Sequence, residues 1–325
     1  MISKIENKLD IGSRVLLLAH GHTGNNVFCT PTVRFLKKFY PETTFDIVAL
    51  TKASSEVFEN NPDINSIYVL DSKRAVKKLA RNYTTVICLN PKSENLLDGT
   101  TVNIMNVPPL PTGIHHADHM LNQIASYTNC DLHESDRQYQ IQANTAMIES
   151  ILIENKIEKD EILIGMHLGC ARTAIHGWKF FYKNRASHQK LWPLDKYITL
   201  GKMLLEVNPN LRIFITGTKN EIFLGKQFEK EVPRTINLIG ETSVSDIVGI
   251  LNKSNLFLTQ DCGVLHVASA STVALIALFG PTNPIATGPY PMWLNRCVIK
   301  KDSMLDIEPD EVAELAKQIL NASLH

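Results

Sequence analysis

The 325-residue chain has no excess charge of either sign, with 33 lysines and arginines against 33 aspartates and glutamates. A general nucleic-acid binder carries a basic surplus, so nucleic acid is not among the expected partners. No apolar run is long enough to span a bilayer; the longest, 273–279, falls far short of the roughly 20 residues required. The first ten residues alternate charge with single Ile and Leu and do not read as a secretory signal. Six cysteines (Cys29, Cys88, Cys130, Cys170, Cys262 and Cys297) are scattered without a C-x-x-C pair. They read as reduced thiols of a cytoplasmic protein rather than as a disulfide framework or a zinc site. The G-x-G-x-x-G turn of a nicotinamide oxidoreductase is missing after the first strand, which argues against that class.

What is present is ordinary for a globular enzyme: 44% hydrophobic and 20% charged residues, at a length that favours two domains. Short β-branched runs alternate with longer amphipathic stretches. Strands are expected at 15–19, 44–50, 66–70 and 84–89, with helices at 30–39, 54–60, 72–81 and 117–127, and 91–113 irregular. The alternation restarts with a strand at 161–166 and runs to a terminal helix at 309–320, with Ser243 a suitable N-cap. Continuously apolar strands of this kind belong to parallel sheets covered on both faces. Two successive β/α halves imply two doubly wound domains joined near 142–160.

In such sheets ligands bind beyond the carboxyl ends of the strands. Two strand-to-helix turns qualify, His20-Gly-His-Thr-Gly-Asn-Asn26 and Thr259-Gln-Asp-Cys-Gly-Val-Leu-His266. The residues alone leave two readings open: a diphosphate site on free backbone N–H groups, or plain turns whose Asp and Asn cap helices.

Asn237–Asp246, Asp261-Cys-Gly-Val-Leu-His266, Phe279-Gly-Pro-Thr-Asn-Pro284 and Thr287-Gly-Pro289 resemble glycosyltransferase family 9, the ADP-heptose:lipopolysaccharide heptosyltransferases and their relatives. Gly24-Asn-Asn-Val-Phe-Cys-Thr-Pro31 is similar to that family's Gly-Asp-x-x-x-x-Thr-Pro opening, and Lys190-Leu-Trp-Pro193 to its Lys-Arg/His-Trp-Pro element. The resemblance implies an α/β fold of two facing Rossmann-like doubly wound domains (GT-B type) with a central cleft. Residues 1–155 would bind acceptor and 156–325 the nucleotide sugar, with the terminal helix packing back on the first lobe. It implies an inverting glycosyltransferase with no cofactor and no obligatory metal. A heptose would move from ADP-heptose to a lipopolysaccharide-core or other surface-glycan acceptor, in the cytoplasm or peripherally at the inner membrane. By position, Asp261, Cys262, Gly263 and His266 fall to the donor sugar and diphosphate, Lys190 to the leaving charge, Glu221 to the ribose and Thr242 to the base.

Asn25 stands where the family has its general-base Asp. An amide accepts no proton at neutral pH, and a positioned base contributes about 10²–10⁴-fold in rate. His22 or His20 on the same turn is a substitute, as is the acceptor's own phosphate or another side chain. The alternative is a sugar-nucleotide binder with slow or no transfer. Two other features stand out. The stretch 171–191 interleaves Arg172, Lys179, Lys183, Arg185 and Lys190 with Trp178, Phe180, Phe181 and Tyr182, and reads as a solvated loop or a contact for a phosphorylated or lipid-linked acceptor. His115-His-Ala-Asp-His119 lacks the spacing of a zinc site and reads as polar surface or acceptor contact.

Overall fold

The structure is a computed structural model that describes residues 9–100, 102–158, 161–170, 173 and 189–322. It divides into two compact units, Met1–Gln142 and Ala143–His325.

In the first unit the strands are β1 (Arg14–Ala19), β2 (Thr44–Ala49), β3 (Ser66–Val69), β4 (Thr85–Cys88) and β5 (Asn103–Asn106), all parallel, in the order β3-β2-β1-β4-β5. The helices are α1 (Thr23–Phe39), α2 (Lys52–Ser55), α3 (Lys73–Ala80) and α4 (His116–Thr128). Five of the six β1 residues are buried, because neighbours lie on both edges and helices cover the faces. Leu16, Leu18, Val48, Val76, Val86 and Cys88 close one side of this core.

Helix α1 begins seven residues earlier than the apolar pattern suggests, so Gly24 and Asn25 lie in its first turn rather than in a loop. Pro31 is inside it and has no N–H for the Val27 carbonyl four residues back. The Thr30 hydroxyl donates to that carbonyl instead at 2.8 Å, and the helix runs through. The strand β5, in a stretch expected to be irregular, carries Asn at both ends and lies on the sheet edge, where no strong apolar run is required.

The second unit opens with α5 (Thr145–Glu154), followed by β6 (Ile162–His167), α6 (Leu194–Val207), β7 (Leu211–Thr216), α7 (Ile222–Glu231) and β8 (Thr235–Asn237). Then come α8 (Val244–Leu251), β9 (Leu256–Gln260), α9 (Gly263–Ser269), β10 (Ala274–Phe279), α10 (Pro284–Thr287), β11 (Arg296–Lys300) and α11 (Pro309–Ala322). The six parallel strands run in the order β11-β10-β9-β6-β7-β8, the mirror listing of the classic Rossmann arrangement. Ser243 caps α8 through a reciprocal box with Asp246, as its position suggested. Helix α5 belongs here and not before the junction: Asn144 Nδ2 donates to Asp246 Oδ1 at 2.8 Å, and Ile148 fills the space left by Gly249. The terminal helix sinks Val312, Ala313 and Ala316 into the core of the second unit. Gly165, in the middle of β6, is required by packing, since a Cβ there would sit 2.2 Å from Phe214 and 2.6 Å from Phe257.

Both sheets reverse strand order once, between β1 and β4 and between β6 and β9. Side chains just past the carboxyl ends of those four strands are therefore the ones a ligand meets. Among the described residues no helix is long and apolar enough to cross a membrane.

Candidate functional site

In the second unit three inner strands end in a polar residue: His167 on β6, Thr216 on β7 and Gln260 on β9, all buried. Burying them costs free energy unless they bond, and they bond to one another's elements. Gln260 Nε2 donates to the Gly169 carbonyl at 2.5 Å. The Tyr197 hydroxyl on α6 lies 2.5 Å from Gln260 Oε1 and 3.0 Å from the His167 carbonyl. His167 Nδ1 lies 3.1 Å from Thr216 Oγ1. This layer fixes the strand ends on which the next residues stand.

Asp261 follows Gln260 directly and is 5% exposed. Its Oδ2 pairs with Lys190 Nζ at 2.6 Å, the lysine side chain being one-third exposed. Two residues on, Trp192 anchors the segment: its Nε1–H donates to the Ile307 carbonyl at 2.9 Å, and its ring meets Tyr197 edge-on at 4.7 Å. The Lys-x-Trp-Pro spacing thus places a cation from one segment against a carboxylate from another.

Glu221, only 2% exposed, accepts from the Thr218 N–H at 2.7 Å and the Thr218 hydroxyl at 3.0 Å, while the Thr173 hydroxyl lies 2.7 Å from its other oxygen. Its carboxylate packs on Gly169, where a Cβ would stand 1.8 Å from Oε1. Thr242 Oγ1 is buried with no hydrogen-bond partner among the described residues, an orphan that a ligand atom would satisfy. Gly263 opens α9 and His266, 4% exposed, closes its first turn.

Cys262, partly exposed, caps α9 through its backbone alone. Its thiol lies 3.4 Å from the Thr259 hydroxyl. Burial on its own would raise the thiol, but the charge and hydrogen bond of His167 and the bond from Thr259 bring it below its ordinary value. Burial would likewise lower the imidazole, yet Cys262 and then Glu221 push it up to about 9.

In the first unit the turn after β1 leads straight into α1. His22 is its N-cap residue by backbone, exposed and making no side-chain cap bond, and Asn25 is exposed one turn in. Gly21 is buried, and a Cβ on it would meet Asn25 Cβ at 2.7 Å and Asn90 Nδ2 at 3.1 Å, so α1 starts hard against the end of β4. Of the two histidines offered as substitute bases, His20 turns its Nε2 to the Leu70 carbonyl at 3.1 Å, and burial lowers its pKa. His22 is the one left facing solvent.

The His115–His119 cluster is absorbed by folding. His115 Nδ1 accepts the Ala117 N–H and caps α4, and His119 Nε2 lies 2.8 Å from the Pro108 carbonyl. His116 stacks flat on Phe28 with ring centroids 5.2 Å apart, and burial lowers its pKa. Of the basic–aromatic stretch, residues 171–172 and 174–188 lie outside the described residues.

Sequence reading missed His167, Gly169, Thr173, Tyr197, Thr216 and Gln260. The available signal was a polar residue ending each of three apolar strands at the reversal point of the sheet.

Two Rossmann-type parallel sheets with polar groups gathered at their strand ends define an α/β protein of the GT-B class. Residues 117–310 match the family model for glycosyltransferase family 9 (heptosyltransferase), and the chain belongs to that family. It is 30% identical over 105 residues to lipooligosaccharide heptosyltransferase 2 of Haemophilus influenzae, an alignment covering 31% of this chain and 30% of that protein. The fold is shared with a glycosyl transferase family 9 protein from Veillonella parvula (TM-score 0.81, 18% identity, 98% of this chain and 100% of that one). It is shared also with the Escherichia coli ADP-heptose lps heptosyltransferase II (TM-score 0.75, 18% identity, 96% and 100%).

Proposed function

We propose that the chain is an inverting glycosyltransferase moving a heptose from ADP-heptose to a lipopolysaccharide-core or related glycolipid acceptor at the cytoplasmic face of the inner membrane. Family membership and the names of the matched heptosyltransferases support the reaction class. The observation that carries the donor assignment is the Lys190–Asp261 pair beyond the end of β9. A lysine one-third exposed and held against a buried carboxylate is poised to swing to a diphosphate, leaving Asp261 to accept hydrogen bonds from the sugar hydroxyls.

The acceptor hydroxyl attacks the anomeric carbon while the bond to the diphosphate oxygen breaks on the opposite face. Lys190 offsets the charge that develops on the leaving nucleotide, so the proposal contains no obligatory metal. Glu221 fixes the 218–221 turn on the ribose side, Thr242 lies toward the base, and Gly263 and His266 line the diphosphate end. In the first unit Asn25 orients the acceptor hydroxyl, and His22, the exposed imidazole on the same helix start, takes its proton.

Calorimetric titration with ADP, followed by incubation with ADP-heptose and lipopolysaccharide core, tests the reading. The expected results are ADP binding that weakens in Asp261→Ala and a product heavier by one heptose, with inverted configuration by NMR. Absence of ADP binding, or Asp261→Ala and Lys190→Ala both binding as the parent does, refutes the donor assignment.

A further inference from the structure

Helix α3 carries Lys73, Arg74, Lys77 and Lys78, and Arg81 is its C-cap, with no acidic residue between them. In a chain of zero net charge, such a run does not follow from composition. The helix dipole accounts for part of it, since cations suit the last turn, where Lys77, Lys78 and Arg81 stand. It disfavours Lys73 and Arg74, which occupy the first turn, where acids are preferred and none is present. Like charges four residues apart at 73/77, 74/78 and 77/81 repel one another as well. The needs of the helix therefore do not explain the full set. Val76 and Ala80 sink into the core of the first unit, with Leu79 packed against it. Lys73 pairs with Asp98 at 2.7 Å, and Lys77 donates to the Asp98 carbonyl. That leaves Arg74, Lys78 and Arg81, all exposed and, among the described residues, without an acidic partner. Spaced by four and then three residues, they form one stripe about 10 Å long on the outer face.

We propose that the outer face of α3 docks the protein on a membrane surface of anionic phospholipid. The apolar side of the helix is taken up by the core, so the stripe adsorbs to headgroups by charge and inserts nothing. A lipid surface fits this face better than nucleic acid does. The chain as a whole has no basic surplus, and the exposed residues of 71–82 include no aromatic ring on which a base would stack. The stripe starts at the end of the sheet to which the acceptor is assigned. His20 Nε2 lies 3.1 Å from the Leu70 carbonyl, which ties the entry to α3 to the turn that carries His22 and Asn25. A bilayer lying against α3 therefore brings a lipid-borne acceptor alongside that turn. This deepens the proposed function, on which the purpose of the docking rests; the binding itself does not depend on it.

Sedimentation of the full chain with vesicles tests the proposal. Vesicles of phosphatidylcholine alone are compared with vesicles in which about a third is phosphatidylglycerol, both free of any acceptor. Each basic residue close to an anionic bilayer raises affinity about fivefold, so Arg74→Gln, Lys78→Gln and Arg81→Gln combined should lower it about a hundredfold. Glutamine suits an exposed helix, so Tm should move by no more than a few degrees. Salt at about 0.5 M should release the unaltered chain. Arg74→Lys, Lys78→Arg and Arg81→Lys combined should bind as the parent does, because a charged surface reads charge and not the planar fork of a guanidinium. Equal binding to both kinds of vesicle, or a triple glutamine variant that binds like the parent, overturns the proposal. So does tighter binding to single-stranded RNA than to anionic vesicles in the same salt, lost in the triple variant, which makes the stripe a nucleic-acid face. Transfer assays separate docking from reaction class. The triple variant should keep the parent's rate on detergent-dispersed acceptor and fall about tenfold to a hundredfold on acceptor embedded in anionic vesicles. If vesicles bind through α3 and neither form of acceptor is glycosylated, the proposed function fails while the docking stands. If both forms are glycosylated and the variant matches its parent on vesicles, the docking fails while the reaction stands.

Discussion

Replacing Gly169 by alanine places one methyl group where the structure has least room. The new Cβ would lie 1.8 Å from Glu221 Oε1 and 2.3 Å from its Cδ, well inside contact distance. The carboxylate cannot slide away freely, because Thr218 N–H and hydroxyl hold one oxygen and Thr173 approaches the other. The strand end cannot yield easily either, since Gln260 grips the Gly169 carbonyl. Expelling Glu221 breaks two or three hydrogen bonds to a charged group, each worth about 1.5–3 kcal/mol, so a net loss of about 3–5 kcal/mol is expected after the carboxylate regains water. In a unit of this size that corresponds to a fall of about 10 °C in Tm. ADP affinity should drop about tenfold to hundredfold, the value of one displaced charge-assisted contact. Thermal melting and ADP titration measure both. The diagnostic control is Gly169→Ala combined with Glu221→Ala, which removes the clashing group; its melting point should exceed the sum of the single effects by the equivalent of about 1–3 kcal/mol. A Gly169→Ala chain that melts like the parent, or a strictly additive double variant, refutes the reasoning.

Asn25→Asp should raise transfer by up to about 10²–10⁴-fold, the value of a positioned base, and less to the extent that His22 already serves. His22→Ala should lower turnover several-fold or more; a harmless His22→Ala together with an unaltered Asn25→Asp rate rules out both groups. Trp192→Phe keeps an aromatic side chain but leaves part of the buried indole's space empty and loses the bond to the Ile307 carbonyl, so Lys190 should be less well placed and ADP binding should weaken several-fold with Tm lowered by a few degrees. Asp46 is fully buried: burial would raise its pKa, but bonds from Asn65, Tyr83 and Arg14 at 2.7–2.9 Å hold it below the ordinary 3.8. A carboxylate depressed in the folded state adds stability that is complete above its unfolded pKa and is lost as pH falls through its folded one. Asp46→Asn should therefore flatten the first unit's acid unfolding below about pH 4 while lowering its stability at neutral pH.

The buried strands were legible because parallel sheets demand continuous apolar runs, and Val15–Ala19 and Val273–Phe279 satisfy that demand locally. Edge strands β5 and β11 were not, since Asn103–Asn106 and Arg296–Lys300 need cover on fewer sides. The start of α1 was hidden by a glycine-rich, polar first turn whose helical state depends on burial of Asn26 and on Thr30 standing in for the missing Pro31 donor. The site divides the same way. Asp261 stood out in a strand-to-helix turn, and Lys190 and Glu221 were singled out by the family resemblance, but nothing local to His167 announces that it stands beside the end of β9. That neighbourhood exists only because β6 and β9 lie side by side.

The same adjacency has a meaning for synthesis. The bond from Gln260 to the Gly169 carbonyl spans 91 residues of chain, and the Lys190–Asp261 pair spans 71. During translation β6 and β7 emerge able to pair, yet the gap beside β6 that β9 must fill stays open until most of the unit has been made. Such non-local closure comes late in folding. The Lys190–Asp261 clamp is therefore acquired only once β9 has been made, and a chain cut short before β9 lacks it however much of its sheet has formed.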